Sequence, residues 1–391
     1  MNVLVMPSWF GDHRYPTLGS FFLDQAVALG KYGHSVHIIY PSPYSIKEML
    51  KFRLGKKWIH KSCVSIRTKS YFTIPLARTF NVKLRLREYF NLFEQHISEF
   101  GLPDIIHAHS AALGPSGSAG IAANLIGKKY KIPVVITEHA SAFHTGNFSE
   151  HEKELMLEAF ESANSLIAVS QCLERDLRTF GVTRQISIIG NIVDTGKFKP
   201  IRLKRRPFYE FILVAYLRPI KRIDKVIMAF SQLSLTNAKL TIIGDGTCRS
   251  ALEKLAAKYC PDKQIEFTGE LDRKDVVKRL QNADCYINTS DYETFGVAVH
   301  EALSCGLSAI STNSGGPNEI LKCLGYKIIE NYSDQVLASM MEKQLKIDLS
   351  KKSMATKHKQ YDMMCSRYSE ESFTKQIETI FDNILARANS R

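Results

Sequence analysis

The stretch that most constrains the fold of this chain runs from residue 285 to residue 306. Residues 285–289 have the apolar composition of a short buried strand, and residues 297–304 have that of a helix, which Gly306 ends. The loop between the two carries Glu293. A strand that leads through a short loop into a helix is the building unit of α/β proteins, so the stretch predicts that class.

The amino end of this helix is predicted to bind an anion. The amides near Phe295, Gly296 and Val297 have no acceptors inside the helix, and a glycine lets a ligand approach the backbone closely. Glu293 precedes this position, and Glu301 follows it by about one turn. Ionised carboxylates accept hydrogen bonds, which suits the hydroxyl groups of a sugar. Judged by their spacing alone, the two glutamates are more typical of solvated surface charges.

The residues around both glutamates resemble the signature of the retaining nucleotide-sugar glycosyltransferases of family 4, which have the GT-B fold. The resemblance rests on Ala283-Asp284, Ser290, Glu293, Phe295-Gly296, Glu301-Ala302, Gly306, Thr312, Gly315-Gly316 and Glu319. It is specific because the glycines, the carboxylates and their offsets agree together. It covers nearly the whole chain, is strongest over residues 211–320 and weakens over residues 41–100.

Alternating strands and helices in both halves predict an α/β chain of two doubly wound, Rossmann-like domains. The resemblance implies the GT-B arrangement, in which the two domains face a central cleft. We expect an acceptor-binding domain over residues 1–195 and a nucleotide-sugar-binding domain over residues 208–366. The C-terminal helix, within residues 367–391, is expected to return to the first domain.

The crossing between the predicted domains is expected near residues 190–208. Asn191, Asp194 and Phe198 match the residues of this crossing in the family. The residues that follow, 202–207, are basic and polar, as in an exposed linker.

The resemblance also implies a grip on the donor diphosphate. In the family, an arginine and a lysine from the loop after the first strand of the second domain hold this group, and Lys221 matches the lysine. Tyr216 stands where the arginine is expected. Arg218 or Arg222 is a hypothetical replacement for the missing charge. Fixed cations at this place would stabilise a phosphoryl leaving group.

The first half of the chain contains candidates on the acceptor side. Gly19 begins a helix, where a phosphate or acceptor site and a plain glycine turn are equally compatible with the residues. Residues 105–109 are predicted as a strand with His107 and His109 on one face. The second histidine of the equivalent family strand lies near the transferred sugar, so the resemblance implies that role for His109. The pair Glu138-His139 resembles a family position at the interdomain cleft, and a buried core histidine explains His139 equally well.

The net charge of +13 favours an anionic partner. Residues 47–88 hold twelve Lys or Arg against two Glu, a local net of +10, with aromatic residues between them. Such a run usually forms a solvated face, but the aromatic residues favour a patch that contacts an anionic membrane surface. Nucleic acid is the rival partner, although no helix-turn-helix, zinc or RNA-binding motif accompanies the charge.

The cysteines and the first residues favour a reduced, cytoplasmic location. The eight cysteines show no CxxC pairing. The first six residues include no basic region and are soon followed by Pro7 and polar residues, which is typical of a strand and not of a signal peptide. Residues 110–127 are too weakly apolar for a convincing membrane span. The predicted location is therefore the cytoplasm, with peripheral attachment to the inner face of the plasma membrane.

The resemblance implies a hexosyltransferase that moves a sugar from a nucleoside diphosphate sugar, such as a UDP- or GDP-sugar, to an acceptor, with retention and without a metal or cofactor. Charge and family precedent favour a lipid-linked saccharide acceptor in the synthesis of O-antigen, capsule or exopolysaccharide. The implied catalytic residues are His109, Glu293 and Lys221. The implied nucleotide-sugar-binding residues are Gly19, Lys221, Arg218, Glu293, Phe295, Gly296, Val297 and Glu301. The alternatives are a GT-B epimerase or phosphorylase and a degenerate enzyme fold that binds nucleic acid.

Overall fold

The computed structural model describes residues 1–12, 18–45, 48, 56–61, 63–114, 117–202, 206–234, 237–262, 264–346 and 354–389, with the backbone alone for 56–61. The chain forms two compact units. The first consists of Met1–Ile192 with Glu370–Arg391, and the second consists of Val193–Ser369. Each unit has its own sheet and its own buried apolar core.

The first unit contains an eight-stranded sheet. Its strands are β1 (Asn2–Pro7), β2 (Ser35–Tyr44), β3 (Lys56–Lys61), β4 (Val64–Phe72), β5 (Ile105–His109), β6 (Val134–Glu138), β7 (Ser165–Ala168) and β8 (Ile186–Ile188). They lie in the order β3-β4-β2-β1-β5-β6-β7-β8, and β3 is antiparallel to β4 while the remaining pairs are parallel. The order reverses between β1 and β5, so the loops that follow these two strands diverge there.

Helices cover the strands of the first unit. They are α1 (Ser20–Lys31), α2 (Arg78–Phe100), α3 (Ala119–Tyr130), α4 (Ala142–Thr145), α5 (Glu150–Ser162) and α6 (Gln171–Phe180), and the C-terminal helix Glu370–Asn389 joins them. The C-terminal helix buries Phe373, Ile377 and Phe381 in the core that also contains Phe22 and Leu29 of α1. The apolar positions that recur along its sequence therefore pack inside the first unit.

The second unit contains a six-stranded sheet in which every strand pair is parallel. Its strands are β9 (Tyr209–Val214), β10 (Ala238–Ile243), β11 (Gln264–Gly269), β12 (Cys285–Asn288), β13 (Ser308–Thr312) and β14 (Ile328–Ile329). They lie in the order β11-β10-β9-β12-β13-β14. Strands buried on both faces are apolar throughout, which is the pattern of residues 211–213 and 285–287.

The helices of the second unit follow its strands. They are α7 (Ile223–Ser231), α8 (Arg249–Tyr259), α9 (Arg273–Asn282), α10 (Val297–Ser304), α11 (Asn318–Cys323), α12 (Asp334–Lys346) and α13 (Met354–Tyr368), and a single turn of 3-10 helix spans Pro219–Lys221. Alternation of strand and helix in both units gives two doubly wound, Rossmann-like α/β domains, as the sequence predicts.

The described ends of the predicted linker pack onto the second unit. Phe198 is fully buried in its core. Arg206 pairs with Glu210 at 2.9 Å and with Asp284 at 2.6 Å. Asp284, one of the residues that carry the family resemblance, therefore lies at the start of β12 and anchors this segment, because a buried carboxylate needs a cation or N–H donors.

Candidate nucleotide-sugar site

The second sheet reverses its strand order between β9 and β12. In open parallel sheets ligands bind at the carboxyl ends of the strands, where such a reversal separates the following loops. The loop after β9 carries Lys221, and the loop after β12 carries Glu293. The candidate site therefore lies at this reversal, within the second unit.

Lys221 and Glu293 contact each other directly. Lys221 Nζ lies 2.6 Å from Glu293 Oε1, and each side chain keeps about a fifth of its surface exposed, 22% and 19%. The same carboxylate oxygen accepts a hydrogen bond of 2.8 Å from Ser290 Oγ. Because this pair is partly exposed, an anionic group of a ligand could bind Lys221 while hydroxyl groups of the ligand donate to Glu293. The sequence predicted both residues at the site, but it did not predict that they pair.

The two loops are also joined through their backbones. Thr289 Oγ1 donates to the carbonyl oxygens of Lys221 and Arg222 at 3.2 and 3.0 Å. The amide of Asp291 donates to the carbonyl of Ile220 at 2.8 Å. These bonds restrict the positions of the lysine and the glutamate, so the charges of the site are held before a ligand arrives.

The three basic residues of the loop after β9 have different surroundings. Arg218 is exposed, and its guanidinium carbon lies 5.6 Å from the centroid of the Tyr216 ring. Arg222 instead pairs with Asp224 at 3.2 Å and with Asp291 at 3.4 Å, and the hydrogen bond to Asp224 raises its pKa. Of the two hypothetical replacements for the missing arginine, Arg222 is thus occupied by carboxylates, while Arg218 stacks on the tyrosine that stands in the arginine position.

Gly296 begins α10 for a reason that the sequence did not reveal. Its φ of 78° lies in the left-handed region, and a Cβ here would lie 2.4 Å from Pro317 Cγ. The predicted close approach of a ligand to this backbone stays a prediction. The structure adds that the ring of Pro317 occupies the space that a Cβ would need. A Cβ on Gly316 would lie 2.7 Å from the amide nitrogen of Phe295. Both glycines are therefore required for the loop after β12 to pack against the loop after β13.

The side chain of Phe295 faces the interior of the second unit. Its ring stacks on His300 with the centroids 3.9 Å apart, and Tyr368 meets the His300 ring edge-on at 4.7 Å. His300 Nδ1 also bonds to the carbonyl of Gly296 at 3.0 Å. Burial lowers the pKa of His300 to about 4, so this imidazole is neutral at pH 7. The packing orients α10, whose first amides near Val297 have no acceptors within the helix.

Glu301 lies one turn inside α10 and is 5% exposed. Arg273, the first residue of α9, lies 3.0 Å from Glu301 Oε1. The guanidinium of Arg273 also lies 5.1 Å from the centroid of the Phe198 ring. Sequence reasoning missed Arg273, because no local motif marks a cation whose carboxylate partner is 28 positions away, 301 minus 273.

The carboxyl ends of β5 and β6 in the first unit hold three buried histidines. His109 Nδ1 lies 3.1 Å from His139 Nε2, and His107 Nε2 lies 2.8 Å from Thr137 Oγ1. Burial lowers the pKa values of His107 and His139 to about 3 and that of His109 well below its usual range. In the bond between His109 and His139 one neutral ring therefore donates and the other accepts.

His109 is enclosed by its own unit, with 1% of its surface exposed and the Phe22 ring centroid 4.8 Å away. His139 is 5% exposed, and within the described part of the chain its Nδ1 has no hydrogen-bond partner. The predicted contact of His109 with a sugar stays a prediction. The structure adds that His109 and His139 form one hydrogen-bonded pair.

Glu138 is a fully buried carboxylate, which the sequence singled out only as part of the pair Glu138-His139. Its Oε1 accepts hydrogen bonds from Ser110 Oγ at 2.6 Å and from the amides of His139 and Ala140 at 2.9 and 2.8 Å. Its Oε2 accepts one from the amide of Ala111 at 2.8 Å. Burial raises the pKa of Glu138, and these four donors lower it. The carboxylate joins the loops after β5 and β6, and it therefore positions His139.

Gly19 precedes α1 with a φ of 66°, and a Cβ here would lie 2.8 Å from the Phe22 ring. The glycine is therefore required by the turn and by the close ring, so both interpretations made from the sequence stay open. Gln25 of α1 donates to Asn191 Oδ1 at 3.0 Å. Residues 13–17 of the preceding loop lie outside the described residues.

Much of the basic segment takes part in the fold of the first unit. Arg85 is 2% exposed, and its Nε donates to Tyr71 Oη at 2.7 Å. Lys69 pairs with Glu88 at 2.5 Å, and Arg78 pairs with Glu152 at 2.7 Å. Arg67 is also buried, and it pairs with Glu99. These four cations and Tyr71 thus have partners inside the unit, so only part of the segment's charge is available to a membrane, and the predicted contact with an anionic membrane surface stays a prediction. Residues 46–47, 49–55 and 62 lie outside the described residues.

Three further findings bear on the predicted properties. All eight cysteines have free thiols. Among the described residues, no three His, Cys, Asp or Glu side chains are grouped as a metal ion would require, and the predicted absence of a metal stays a prediction. Among the described helices, none combines the length and the apolar character needed to cross a bilayer.

Residues 194–361 match the family described as Glycosyl transferases group 1, and residues 18–197 match Glycosyltransferase Family 4. The chain is 26% identical over 323 residues to one subunit of the Homo sapiens Phosphatidylinositol N-acetylglucosaminyltransferase, and this match covers 79% of the chain and 62% of the relative. It is 24% identical over 392 residues to the Bacillus anthracis N-acetyl-alpha-D-glucosaminyl L-malate synthase, covering 95% of this chain and 96% of the relative. The chain thus spans less than two thirds of the human relative.

Solved structures share the fold. Sucrose-phosphate synthase from Thermosynechococcus elongatus superposes with a TM-score of 0.77 at 16% identity, covering 99% of this chain and all of that one (100%). Anabaena Alr3699/HepE in complex with UDP superposes with a TM-score of 0.74 at 15% identity, covering 98% of this chain and 100% of that one. The two family matches together extend over residues 18–361. The chain belongs to glycosyltransferase family 4, and its fold is GT-B.

Proposed function

We propose that this chain is a retaining hexosyltransferase that transfers a sugar from a nucleoside diphosphate sugar to an acceptor. The observation that carries the proposal is the Lys221–Glu293 pair, 2.6 Å apart, on two loops at the strand-order reversal of the second sheet. Membership of a glycosyltransferase family supports the reaction class. The UDP complex of the Anabaena neighbour supports a UDP-sugar as one donor to test.

The proposed roles follow from the charges of the second unit. Lys221 and the first amides of α10 stabilise the diphosphate as the bond to the sugar breaks, and Arg218 lies on the same loop as a second cation. Glu293 accepts hydrogen bonds from the sugar hydroxyls, and Glu301 accepts them from the nucleotide ribose. Fixed cations and N–H groups of this kind act where negative charge develops on the leaving group, so no metal or cofactor is included in the proposal.

The acceptor is proposed to be a lipid-linked saccharide used in the synthesis of a surface polysaccharide. The net charge of +13 supports binding of the enzyme to an anionic membrane surface, because its cations are attracted to such a surface. The name of the human relative, which contains phosphatidylinositol, is compatible with a lipid acceptor. The proposed location is the cytoplasmic face of the plasma membrane, where the protein attaches peripherally.

A thermal-shift panel tests the donor site first. The ligands are UDP, GDP, ADP, NAD, UDP-glucose and UDP-N-acetylglucosamine, the last because the names of both relatives refer to an N-acetylglucosaminyl group. A ligand at one hundred times its dissociation constant adds about 2.7 kcal/mol of stability. At about 2–4 °C per kcal/mol for a domain of 150–250 residues, this raises the melting temperature by about 5–11 °C. We expect a shift with one nucleotide and its sugars, smaller in Lys221→Ala and Glu301→Gln.

One control variant and one transfer assay define the outcome. Lys225→Ala removes a neighbouring lysine that pairs with Asp291 at 3.2 Å, and this variant should keep the shift. Incubation of the responding donor with membrane extract, followed by NMR of the anomeric proton, then tests transfer with retention. Absence of a shift with every nucleotide contradicts the donor site, and salt-sensitive RNA binding without any nucleotide response would instead favour the nucleic-acid alternative. A changed sugar without transfer would indicate an epimerase.

A further inference from the structure

We infer that the loop between β4 and α2, together with the exposed face of the first turns of α2, is the surface by which this protein docks on an anionic lipid bilayer. The surface consists of Ile74, Leu76, Phe80, Lys83 and Arg87, and it is called the β4–α2 tip below. The inference rests on the proposed function in one respect, because a lipid-linked acceptor requires the enzyme to work at a bilayer.

The β4–α2 tip exposes three large apolar side chains within seven residues, 74–80. Leu76 is fully exposed at 105%, Phe80 is 52% exposed and Ile74 is 48% exposed. Single exposed apolar residues are ordinary on protein surfaces, but three neighbours of this size form a patch, and patches mark contact surfaces. Insertion of such side chains into the acyl region of a bilayer removes them from water.

The backbone holds this patch in an exposed conformation. Leu76 has a φ of 64°, in the left-handed region that costs a non-glycine residue about 1–2 kcal/mol. Asn81 fixes the loop, because its Oδ1 accepts from the amide of Ile74 at 2.9 Å and its Nδ2 donates to the carbonyl of Ile74 at 2.7 Å. The loop is thus folded with a strained leucine directed to solvent, and burial in a bilayer would compensate for that arrangement.

The charges next to the patch select an anionic surface. Phe80, Lys83 and Arg87 are spaced by three and four residues along α2, so they lie on one face of the helix. Both cations are exposed, and in the described part of the chain neither takes part in an ion pair. By contrast, the cations at positions 67, 69, 78 and 85 have partners inside the first unit. Among the described side chains of residues 47–88, the cations without a partner inside the unit therefore adjoin the apolar patch.

A bilayer accounts for this combination better than nucleic acid does. Proteins that bind single strands use aromatic rings on which bases stack, and two of the three apolar residues here are aliphatic. Aliphatic and aromatic tips flanked by lysine and arginine are what interfacial segments present to anionic headgroups. The tip thus combines an apolar group for the acyl boundary with cations at headgroup level.

Flotation of the full chain with vesicles tests the inference. The vesicles contain phosphatidylcholine alone or with phosphatidylglycerol. We expect binding to the anionic vesicles that weakens as salt is raised. Leu76→Ser with Phe80→Ser should reduce the partition coefficient by about tenfold or more, because two apolar side chains no longer enter the bilayer. Lys83→Glu with Arg87→Glu should reduce it by about fivefold per cation.

Matched control variants test whether vesicle binding depends on the β4–α2 tip itself or on exposed apolar residues and net charge in general. Leu102→Ser removes another exposed leucine of the first unit, 55% exposed. Lys254→Glu with Lys258→Glu reverses two exposed lysines with the same spacing on α8, so the net charge changes equally. Both controls should bind vesicles like the parent chain. Equal loss in the controls and the tip variants, or equal binding to neutral vesicles, overturns the inference.

The proposed function and the docking surface can fail separately. The nucleotide thermal shift does not require a membrane, and the tip variants should retain it because the tip and Lys221 belong to different units. Vesicle binding without any nucleotide response would leave the docking surface intact and contradict the donor site. A nucleotide response without tip-dependent vesicle binding would do the reverse.

Discussion

At the carboxyl end of β12 the second unit presents a partly exposed pair of opposite charges, Lys221 and Glu293, whereas the first unit buries neutral histidines and Glu138 at the ends of β5 and β6. The first arrangement can exchange its internal partners for those of a ligand, because its charges are still solvated in part. In the second arrangement, four donors bind the Glu138 carboxylate, and the ring of Phe22 packs against His109. The partly exposed charges and the buried neutral rings therefore lie in different units of this protein.

The largest expected effect comes from a change to the charged pair. Lys221→Ala removes the cation proposed to stabilise the departing diphosphate, and we expect a loss of about 10²–10³ in kcat, as is typical for a preorganised electrostatic group. Steady-state rates with the donor identified in the thermal-shift panel measure it. Lys225→Ala, the neighbouring lysine, should stay within about twofold of the parent chain, since a partly exposed ion pair contributes little. Equal losses in both variants would contradict a specific role for Lys221.

A second prediction concerns the glycine at the start of α10. Gly296→Ala combines a left-handed backbone with a Cβ placed 2.4 Å from Pro317 Cγ, and it should reduce the free energy of unfolding by about 3 kcal/mol. Gly325→Ala has the same strain, φ 79°, with no atom within 4 Å of the added Cβ, and it should cost about 1 kcal/mol. Urea unfolding curves give both values. The difference isolates the contact with the proline, and similar values for the two would mean that this contact is unimportant.

The buried side of the comparison is tested at Glu138. Glu138→Gln places an amide NH₂ against the N–H of Ala111 or against the three donors on the other oxygen, and we expect the free energy of unfolding to fall by about 2 kcal/mol. Glu158→Gln changes an exposed pair with Lys128, and it should have an effect below about 0.5 kcal/mol. If Glu138 also positions His139, its variant should lower kcat more than it changes KM for the donor. A stability loss with unchanged kcat would limit Glu138 to the fold.

The last prediction concerns the acid sensitivity of the first unit. The folded-state pKa values of His107 and His139 are about 3 and that of His96 is about 4, below the unfolded value of about 6.5. A depressed histidine pKa gives stability that is present above pH 6.5 and is lost as the pH falls towards the folded value. Each such histidine contributes about 1.4 kcal/mol per pH unit in this window. The raised pKa of Glu138 acts in the opposite sense.

Both tryptophans, Trp9 and Trp58, lie in the first unit, so their fluorescence reports its unfolding. We expect the fluorescence midpoint in urea to fall between pH 7.5 and pH 5.5. His96→Phe should make this fall smaller, because it removes one titrating ring that packs against His37 and Phe100. An unchanged midpoint across this pH range would contradict the buried neutral histidines.

The sequence predicted the α/β class, the two doubly wound domains and the elements that carry the candidate site, and the structure confirms the class and the fold. Local periodicity and glycine positions determine where strands and helices begin, and these features are short-range. The contact of Gly296 with Pro317 could not be predicted, because the two residues are distant in sequence and close only after folding. The ion pairs of Arg67, Lys69 and Arg78 could not be predicted from the sequence for a similar reason, since their partners are distant along the chain and become neighbours only on folding.

The sequence by itself determined which groups this protein has at the carboxyl ends of its strands, because a strand, a loop and a helix are specified by residues close together in the chain. Only the tertiary structure decided which of these groups contact one another. Lys221 and Glu293 are 72 positions apart, and Arg273 and Glu301 are joined only because α9 and α10 pack together. Ion pairing and burial depend on distances in space, and those distances follow from strand order rather than from spacing along the chain.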